Sequence, residues 1–375
     1  MIAVYCLWAH YYYTNTCGDF ILHRIINIHD AYNLPDPIYI DMRSPSEFEV
    51  GHIPGAYSIP LFSDEERAKV GTVYRQDGSE EAKYLGLSIV STKLPDLVRE
   101  VRALYQTGRT VIIYCWRGGM RSKSVVNVLD LMGIPAYQLL GGYKSFRNYV
   151  LEKLRSFELK PQIVVLCGST GVGKTKLLSL LAEQGAFTLD LEKLANHRGS
   201  AFGHVGIGTP ATAQNFDAVI LAELEALNDK PYIIVECESK RIGNVYVPDV
   251  LFDGMKRGKR ILAFADTEIR ISRLIEEYAA VYSKNYDAII GSINTLEKKI
   301  GRKQTDLLLA QMEAGQVRDV VRLLLIDYYD PLYGYEKAAS SSYNLSVCAN
   351  DLVQASSKIM DYLHSLGGVN NANSR

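Results

Sequence analysis

Residues able to bind phosphate lie near the middle of the chain and follow the pattern G-x-x-x-x-G-K-S/T: Gly168, Ser169, Thr170, Gly171, Val172, Gly173, Lys174 and Thr175. An apolar run precedes them and a helical stretch follows, which is the context that the pattern requires. The glycines let successive backbone N–H groups converge on phosphate oxygens at the positive end of a helix. Lys174 would contact the terminal phosphate, and the Thr175 hydroxyl is a candidate Mg²⁺ ligand. The sequence therefore predicts a phosphate-binding loop.

Acidic residues that could complete such a site follow two other apolar runs. A nucleoside triphosphatase with this loop usually holds Mg²⁺ with an Asp at the end of a neighbouring strand. Here Glu236 and Glu238 follow the run of residues 232–235, and Asp190 follows residues 187–189. All three are candidate metal or substrate ligands, and the identity of any metal is left open. Because the first of these runs ends in Glu rather than Asp, the pattern argues against ATP hydrolysis and leaves the phosphate compound undefined.

Cys115 is the candidate nucleophile. It follows the apolar, β-branched run of residues 111–114 and precedes a predicted helix at residues 124–132. A cysteine in that position faces convergent backbone N–H groups and the positive end of a helix dipole, which together favour the thiolate. The predicted anion cradle around its sulfur consists of Trp116, Arg117, Gly118, Gly119 and Arg121. Its two arginines add positive charge, so the same cradle would hold a persulfide, a perselenide or a phosphate-like anion.

The elements that must position these loops alternate between strands and helices, which predicts parallel sheets with helices on both faces. We predict an N-terminal extension of undefined role at residues 1–29, a first α/β domain at 30–148, a linker helix at 149–161, a second α/β domain at 162–366 and a flexible tail at 367–375. From Ile269 onward helical periodicity dominates, so the second domain should carry a helical extension.

Composition and charge narrow the function classes. The chain has 375 residues, 47% of them hydrophobic, and a formal net charge of −1. That charge argues against a protein that coats nucleic acid through bulk charge, although local basic surface is not excluded. The aromatic-rich first twenty residues lack the pattern of a signal peptide, and six cysteines show no paired spacing. We therefore expect a cytoplasmic protein without membrane attachment, disulfides or a cysteine zinc site.

Several segments of the first domain resemble the rhodanese family: residues 41–48 (DMRSPSEF), 51–56 (GHIPGA), 115–122 (CWRGGMRS) and 141–146 (GGYKSF). The resemblance implies a rhodanese-like fold with Cys115 as its nucleophile. The spacing from Cys115 to Arg121 is C-x5-R, one residue longer than in the common sulfurtransferase loop. That length also occurs in cysteine-dependent phosphatases, whereas Tyr114 stands where classical tyrosine phosphatases have His.

Four segments, taken with the domain order, make the chain similar to the tRNA 2-selenouridine synthase family: residues 115–119, 191–200 (LEKLANHRGS), 236–243 (ECESKRIG) and 328–333 (YYDPLY). The resemblance covers about residues 36–363. It implies that sulfur is replaced by selenium at C2 of the wobble 2-thiouridine of tRNA, through an S-geranyl-2-thiouridine intermediate. The implied substrates are geranyl diphosphate and selenophosphate, with Mg²⁺ as an optional ion and no tightly bound cofactor.

The same resemblance implies partners and roles. The tRNA isoacceptors would be those for Lys, Glu and Gln, and an enzyme that supplies selenophosphate is an expected partner. Cys115 would handle selenium, while Lys174 and Thr175 would bind the diphosphate. The candidate tRNA or substrate contacts are His197, Arg198, Lys240 and Arg241, because they lie in the matching segments after strand ends. Which domain binds selenophosphate, and the oligomeric state, stay open.

Two alternatives are compatible with the residues alone. The first is a rhodanese-fold phosphatase fused to a P-loop kinase, in which the C-x5-R loop hydrolyses a phosphoester. The second is a nucleotide-dependent adaptor whose cysteine domain only binds, which the intact Cys115 and its arginines disfavour.

Overall fold

The computed structural model describes residues 23–279 and 285–367, and the chain divides into two units with the boundary between Tyr149 and Val150. Each unit is built on its own parallel sheet with helices around it. This confirms the prediction of two α/β domains. In the described residues, no helix is both long and apolar enough to cross a membrane.

The described residues of the first unit form five parallel strands in the order β1-β5-β4-β2-β3. The strands are β1 (Arg24–Ile26), β2 (Ile38–Asp41), β3 (Tyr57–Ser58), β4 (Val111–Tyr114) and β5 (Ala136–Leu139). The helices of this unit are Ile28–Tyr32, Pro45–Val50, Asp64–Gln76, Ser79–Ser91, Leu94–Tyr105, Met120–Leu131 and Gly142–Arg155, the last of which crosses the boundary. β2 and β4 are buried along their whole length, as expected for central strands covered on both faces.

Two predicted boundaries differ from the structure. β1 pairs in parallel with β5 and so belongs to the first sheet, although we predicted an extension up to residue 29. Its three residues are too few to show a strand pattern in the sequence. The predicted linker at 149–161 contains only the end of the helix Gly142–Arg155, because that helix begins at the glycine pair and packs Tyr143 and Phe146 into the first unit. Residues 1–22 of the predicted extension and 368–375 of the predicted tail lie outside the described residues.

In the second unit, the described residues form five parallel strands in the order β12-β11-β6-β8-β7, together with the antiparallel pair β9-β10. The strands are β6 (Gln162–Cys167), β7 (Thr188–Leu189), β8 (Tyr232–Glu236), β9 (Arg241–Ile242), β10 (Val245–Tyr246), β11 (Lys259–Phe264) and β12 (Leu345–Cys348). Its first helices are Lys174–Glu183, Leu191–Ala195, Ala213–Leu227 and Asp249–Arg257.

The predicted helical extension lies between β11 and β12. It comprises the helices Thr267–Ala279, Tyr286–Thr295, Glu297–Ile300, Arg302–Glu313 and Val317–Leu323, the π-helix Leu324–Tyr329 and the short helix Asp330–Tyr333. These helices share a hydrophobic core of their own, which includes Ile293, Leu308 and Leu324. The chain then returns to the sheet as β12, and the last helix, Leu352–Gly367, joins the main core of the unit. The helical region is therefore an insertion inside the second α/β unit.

Candidate functional site

Cys115 lies where β4 ends and is buried beneath its loop, with 3% of its surface exposed. The Gly119 N–H donates to its sulfur at 3.2 Å, and the Ser122 hydroxyl lies 3.3 Å away. The following helix begins at Met120, four residues before the predicted start, so its N-terminus lies directly at the loop. The sulfur is thus held by a backbone donor and a hydroxyl at the start of a helix.

Neighbouring segments hold this loop in one shape. The Gln138 side chain donates to the Gly118 carbonyl and to the Ser122 hydroxyl, both at 2.8 Å. The Tyr143 N–H donates to the Cys115 carbonyl at 2.8 Å. At Gly142, whose φ is +58°, a Cβ would lie 2.2 Å from that carbonyl oxygen, so only glycine fits without displacement. The loop is therefore pre-organised by residues from β5 and from the glycine pair after it.

The arginines act differently from the sequence prediction. Arg121 forms an ion pair with Glu47 at 2.6 Å, and its other terminal nitrogen donates to the same carboxylate at 3.2 Å. Burial favours the neutral acid, but Arg121 outweighs it and lowers the pKa of Glu47. Arg121 is therefore held in an ion pair within the domain, and Glu47 offsets the positive charge that it was predicted to add to the loop. Arg117 and Trp116 are exposed on the loop.

Arg43, which was not among the predicted site residues, is a neighbour of the cysteine loop. It is 1% exposed, pairs with Asp41 at 2.6 Å, and stacks over the Tyr143 ring at 4.0 Å. Because Tyr143 also holds the Cys115 carbonyl, Arg43 supports the cysteine loop from beneath. The sequence did indicate Arg43, because it is the arginine of the D-x-R turn at residues 41–43, within a segment that resembles rhodaneses.

The phosphate loop adopts the predicted strand–loop–helix arrangement between β6 and the helix Lys174–Glu183. The Lys174 ammonium donates to the Gly168 carbonyl at 3.1 Å and so lies across the loop. A cavity of about 360 Å³ surrounds the loop, and its walls include Lys174, Thr175 and Glu236. The loop thus combines backbone donors at a helix N-terminus with one side-chain cation, which is what an anionic phosphate group requires.

Three carboxylates meet beside this loop. One oxygen each from Glu192, Glu236 and Glu238 lie within 4.8 Å of one another, and the Thr175 hydroxyl donates to Glu192 at 3.4 Å. Burial and the Glu192 charge raise the pKa of Glu236 to about 8, while burial and Glu238 raise that of Glu192 to about 7. Burial likewise raises the pKa of Glu238 to about 7.

Neither carboxylate oxygen of Glu236 has a hydrogen-bond partner among the residues that the structure describes, although the side chain is 1% exposed. Buried, mutually repelling carboxylates with oxygen ligands nearby fit a hard divalent cation such as Mg²⁺, which would supply the missing positive charge. Glu192 was absent from the predicted set because it lies on the short helix Leu191–Ala195, one residue after the helix begins. Asp190 instead caps that helix by accepting from the Lys193 N–H at 2.8 Å.

Cys237 is a further residue of the phosphate-loop site. It lines the phosphate-loop cavity and accepts a hydrogen bond from the Tyr335 hydroxyl at 3.0 Å. Hydrogen bonds from Cys167 and Tyr335 outweigh burial and lower the pKa of Cys237 to about 6. Cys167 is fully buried, and the neighbouring Cys237 and burial both raise its pKa.

The four candidate tRNA contacts separate in the structure. His197 and Arg241 line one polar cleft of about 950 Å³, whose walls also carry Lys299, Tyr328 and Tyr333. Arg198 instead lines the phosphate-loop cavity and pairs with Glu277 at 2.7 Å. Lys240 forms an ion pair with the exposed Asp249. Aromatic rings beside basic side chains are suited to an unstacked nucleobase and its phosphates.

Comparison with known families assigns both units. The tRNA 2-selenouridine synthase AAA domain family matches residues 161–365, and the rhodanese-like domain family matches residues 27–149. A solved gluconokinase from Sinorhizobium meliloti 1021 is 16% identical, covering 58% of this chain and 99% of that one, with a TM-score of 0.27. At that score the likeness bears on neither substrate nor mechanism.

Proteins similar over most of the chain have one name. A tRNA 2-selenouridine synthase of Pseudomonas syringae pv. syringae (strain B728a) is 33% identical, covering 82% of this chain and 90% of its own. Proteins of the same name are 35% identical in Hydrogenovibrio crunogenus (79% and 88% covered) and 31% identical in Nitrosomonas europaea (89% and 96% covered). With both domains matched and in this order, the chain belongs to the tRNA 2-selenouridine synthase family.

Proposed function

We propose that this protein is a transferase that replaces sulfur by selenium at C2 of the wobble 2-thiouridine of tRNA, through an S-geranyl intermediate. The observation that carries the proposal is the presence of two different anion cradles in one chain. One is centred on a thiol that accepts from a backbone N–H at 3.2 Å, and the other carries Lys174 beside a carboxylate cluster. A reaction with two steps and two anionic co-substrates, geranyl diphosphate and selenophosphate, accounts for both.

The first step belongs to the phosphate loop. The sulfur of the 2-thiouridine attacks the first carbon of the geranyl group, the carbon–oxygen bond to diphosphate breaks, and the base loses its N3 proton. Diphosphate leaves with the bonding electrons, so the loop amides and Lys174 would stabilise the charge that develops on it. A divalent cation bound by Glu192, Glu236 and Glu238 would add further positive charge for that leaving group.

The second step belongs to Cys115. The selenium of selenophosphate attacks C2 of the base, and the C2–sulfur bond breaks to release geranylthiol, which takes up a proton and is a better leaving group than sulfide. Water then cleaves the selenium–phosphorus bond, which releases phosphate and leaves selenium on C2. The fixed loop around Cys115 supports a role in which its sulfur takes part as thiolate.

The cleft lined by His197, Arg241 and Tyr333 supports binding of the anticodon loop in the second unit. By resemblance, the isoacceptors are those for Lys, Glu and Gln, and the enzyme acts in the cytoplasm with selenophosphate supplied by another enzyme. A phosphatase fused to a kinase is not favoured, because the full-length relatives are named for tRNA modification.

The proposal is tested with purified protein, 2-thiolated tRNA, geranyl diphosphate, selenophosphate and Mg²⁺, with no nucleotide added. We expect S-geranyl-2-thiouridine and then 2-selenouridine in nucleoside mass spectra, because geranyl diphosphate is already activated for transfer. Omitting geranyl diphosphate is the matched control and should abolish both products. Selenation that requires ATP and releases stoichiometric ADP would overturn the proposal in favour of a kinase-like second domain.

A further inference from the structure

The helical insertion forms most of the wall of a half-open apolar cavity of about 340 Å³ beside the phosphate loop. Protein interiors are close-packed, and voids much larger than a water molecule are few. A space of this size lies within the range of ligand sites, about 300–1,000 Å³, at its small end. Its interior is lined by aliphatic side chains such as Ile293, Val321 and Leu325. Such side chains offer water molecules no hydrogen-bond partners.

One wall of this cavity is attached to the phosphate loop. The helix Thr267–Ala279 supplies Leu274 and Tyr278 to the cavity, and its Arg270 donates to the Thr170 carbonyl at 2.9 Å. A Cβ added at Gly171 would lie 3.0 Å from Leu274 Cγ, so the loop backbone packs directly on that wall. Arg270 is 2% exposed and also pairs with Asp330 at 2.5 Å, which links the loop to the end of the insertion. The position of the cavity relative to the phosphate loop is therefore set by buried polar contacts.

The cavity is polar at one end only. Thr170, Ser200, Leu274 and Tyr278 line both this cavity and the phosphate-loop cavity, and three of them are among the four hydroxyl-bearing residues of the apolar cavity. Away from the junction the lining is almost entirely hydrocarbon. A ligand that fits both spaces has a phosphate head and a short apolar tail.

Ser200 has a further neighbour, because it also lines the polar cleft that holds His197 and Arg241. Three spaces therefore meet at one residue: an anion site, an apolar cavity and a cleft suited to a nucleobase. Alkyl transfer needs this arrangement, since the carbon that is attacked lies between the leaving phosphate, its own chain and the nucleophile.

We propose that the apolar cavity binds the hydrocarbon chain of an isoprenoid diphosphate whose diphosphate lies on the phosphate loop, and that transfer occurs beside Ser200. This inference rests on the proposed function and adds to it the place and the length limit of the chain. Leu324, Leu325 and Tyr329 reach the cavity from the π-helix Leu324–Tyr329. Because π-helices are rare and occur often at functional sites, this element supports binding there.

The test compares the affinities of inorganic diphosphate and geranyl diphosphate, measured by calorimetry with Mg²⁺, in matched variants. Val321→Trp places an indole in the cavity from a half-buried position, and Leu325→Ala enlarges the cavity. We expect Val321→Trp to weaken geranyl diphosphate binding by at least tenfold and to leave inorganic diphosphate within twofold. Leu325→Ala should shift the preference toward the fifteen-carbon homologue. Leu307→Trp, at an exposed position of the helix Arg302–Glu313 outside the lining, is the control and should change neither affinity.

Two failures can be told apart. If wild-type protein transfers geranyl to thiolated tRNA but Val321→Trp and Leu325→Ala keep wild-type affinity and chain-length preference, the cavity is not the chain site and the proposed function stands. If wild-type protein transfers no geranyl group, the proposed function itself fails. Unchanged binding of inorganic diphosphate verifies that each variant is folded. If Val321→Trp does not fold, Val317→Phe is used in its place.

Discussion

The cysteine loop and the phosphate loop share one local architecture, a parallel strand followed by a glycine-containing turn and a helix, but they differ in charge compensation. Around Cys115, two arginines are already paired, Arg121 with Glu47 and Arg43 with Asp41, while Arg117 is exposed. Around the phosphate loop, Glu236 is buried in a cluster of acids whose pKa values are raised, and its carboxylate oxygens have no hydrogen-bond partner in the described part of the chain. The first site is complete around a fixed sulfur, whereas the second is arranged for charged ligands to complete it.

This difference predicts which step each loop governs. Cys115→Ala should abolish 2-selenouridine formation, because the sulfur is the reactive atom of the first loop, while S-geranyl-2-thiouridine should still form and accumulate. Nucleoside mass spectrometry of tRNA measures both. Cys348→Ala, at an exposed cysteine, is the matched control and should leave both products unchanged. Normal selenation by the Cys115→Ala protein would remove Cys115 from the reaction.

The rigidity of the cysteine loop can be tested with two glycines in left-handed conformations. Gly133→Ala, where the added Cβ would meet no atom of the described residues within 4 Å beyond its own chain neighbours, should cost about 1–2 kcal/mol of unfolding free energy. Gly142→Ala adds overpacking against the Cys115 carbonyl, so we expect a further ~1–3 kcal/mol and a loss of selenation. Denaturant unfolding measures the loss of unfolding free energy in both variants, and the difference between them is the cost of crowding the Cys115 carbonyl. Equal destabilisation of the two would show that the glycine pair does not constrain the loop.

At the phosphate loop, Lys174→Ala removes a cation that the diphosphate would contact. We expect diphosphate binding to weaken by about 1.5–3 kcal/mol, the range for a hydrogen bond to a charged group. Geranylation should fall, and selenation should fall with it because it consumes the geranylated intermediate. Calorimetry measures the affinity, with the exposed Lys298→Ala as control. An unchanged affinity would place the diphosphate elsewhere.

The smallest expected effect concerns pH and stability. The pKa values of Glu192, Glu236 and Glu238 are raised to about 7, 8 and 7, so the folded chain holds more protons than the unfolded chain above pH 4.5. Their stabilising contribution is present below that pH and is lost as the pH rises through 7 to 8. In EDTA, Glu236→Gln should therefore recover on the order of 1 kcal/mol of unfolding free energy at pH 8. This gain would raise the Tm by about 2–4 °C.

The same protons compete with a cation. Mg²⁺ should bind more tightly as the pH rises from 6 to 8, and it should raise the Tm more at pH 8 than at pH 6. Scanning fluorimetry across this range measures both effects. A Tm of Glu236→Gln that responds to pH and to Mg²⁺ as the wild type does would show that Glu236 is not part of a cation site.

The features that the sequence by itself determined are those formed by residues adjacent in the chain. The two strand–loop–helix units, Cys115 and its Gly119 donor, and Lys174 at the phosphate loop all depend on short segments whose geometry is local. A pattern of a few residues therefore predicts them, and two such patterns in one chain indicated two parallel-sheet domains and the family. Predicted boundaries were less accurate, because a three-residue strand such as β1 owes its place to its partner β5.

The tertiary structure alone decided which distant side chains meet. Glu192 joins Glu236 only because β7 and β8 are neighbours in the sheet, and Arg121 is neutralised by Glu47 from 74 residues away. Cys167 and then Tyr335 lower the pKa of Cys237, and Tyr335 lies 98 residues later in the chain. The apolar cavity is formed by helices whose periodicity shows which faces are hydrophobic but not the space left between them. Charge compensation and cavity shape arise from long-range packing, which local sequence patterns do not encode.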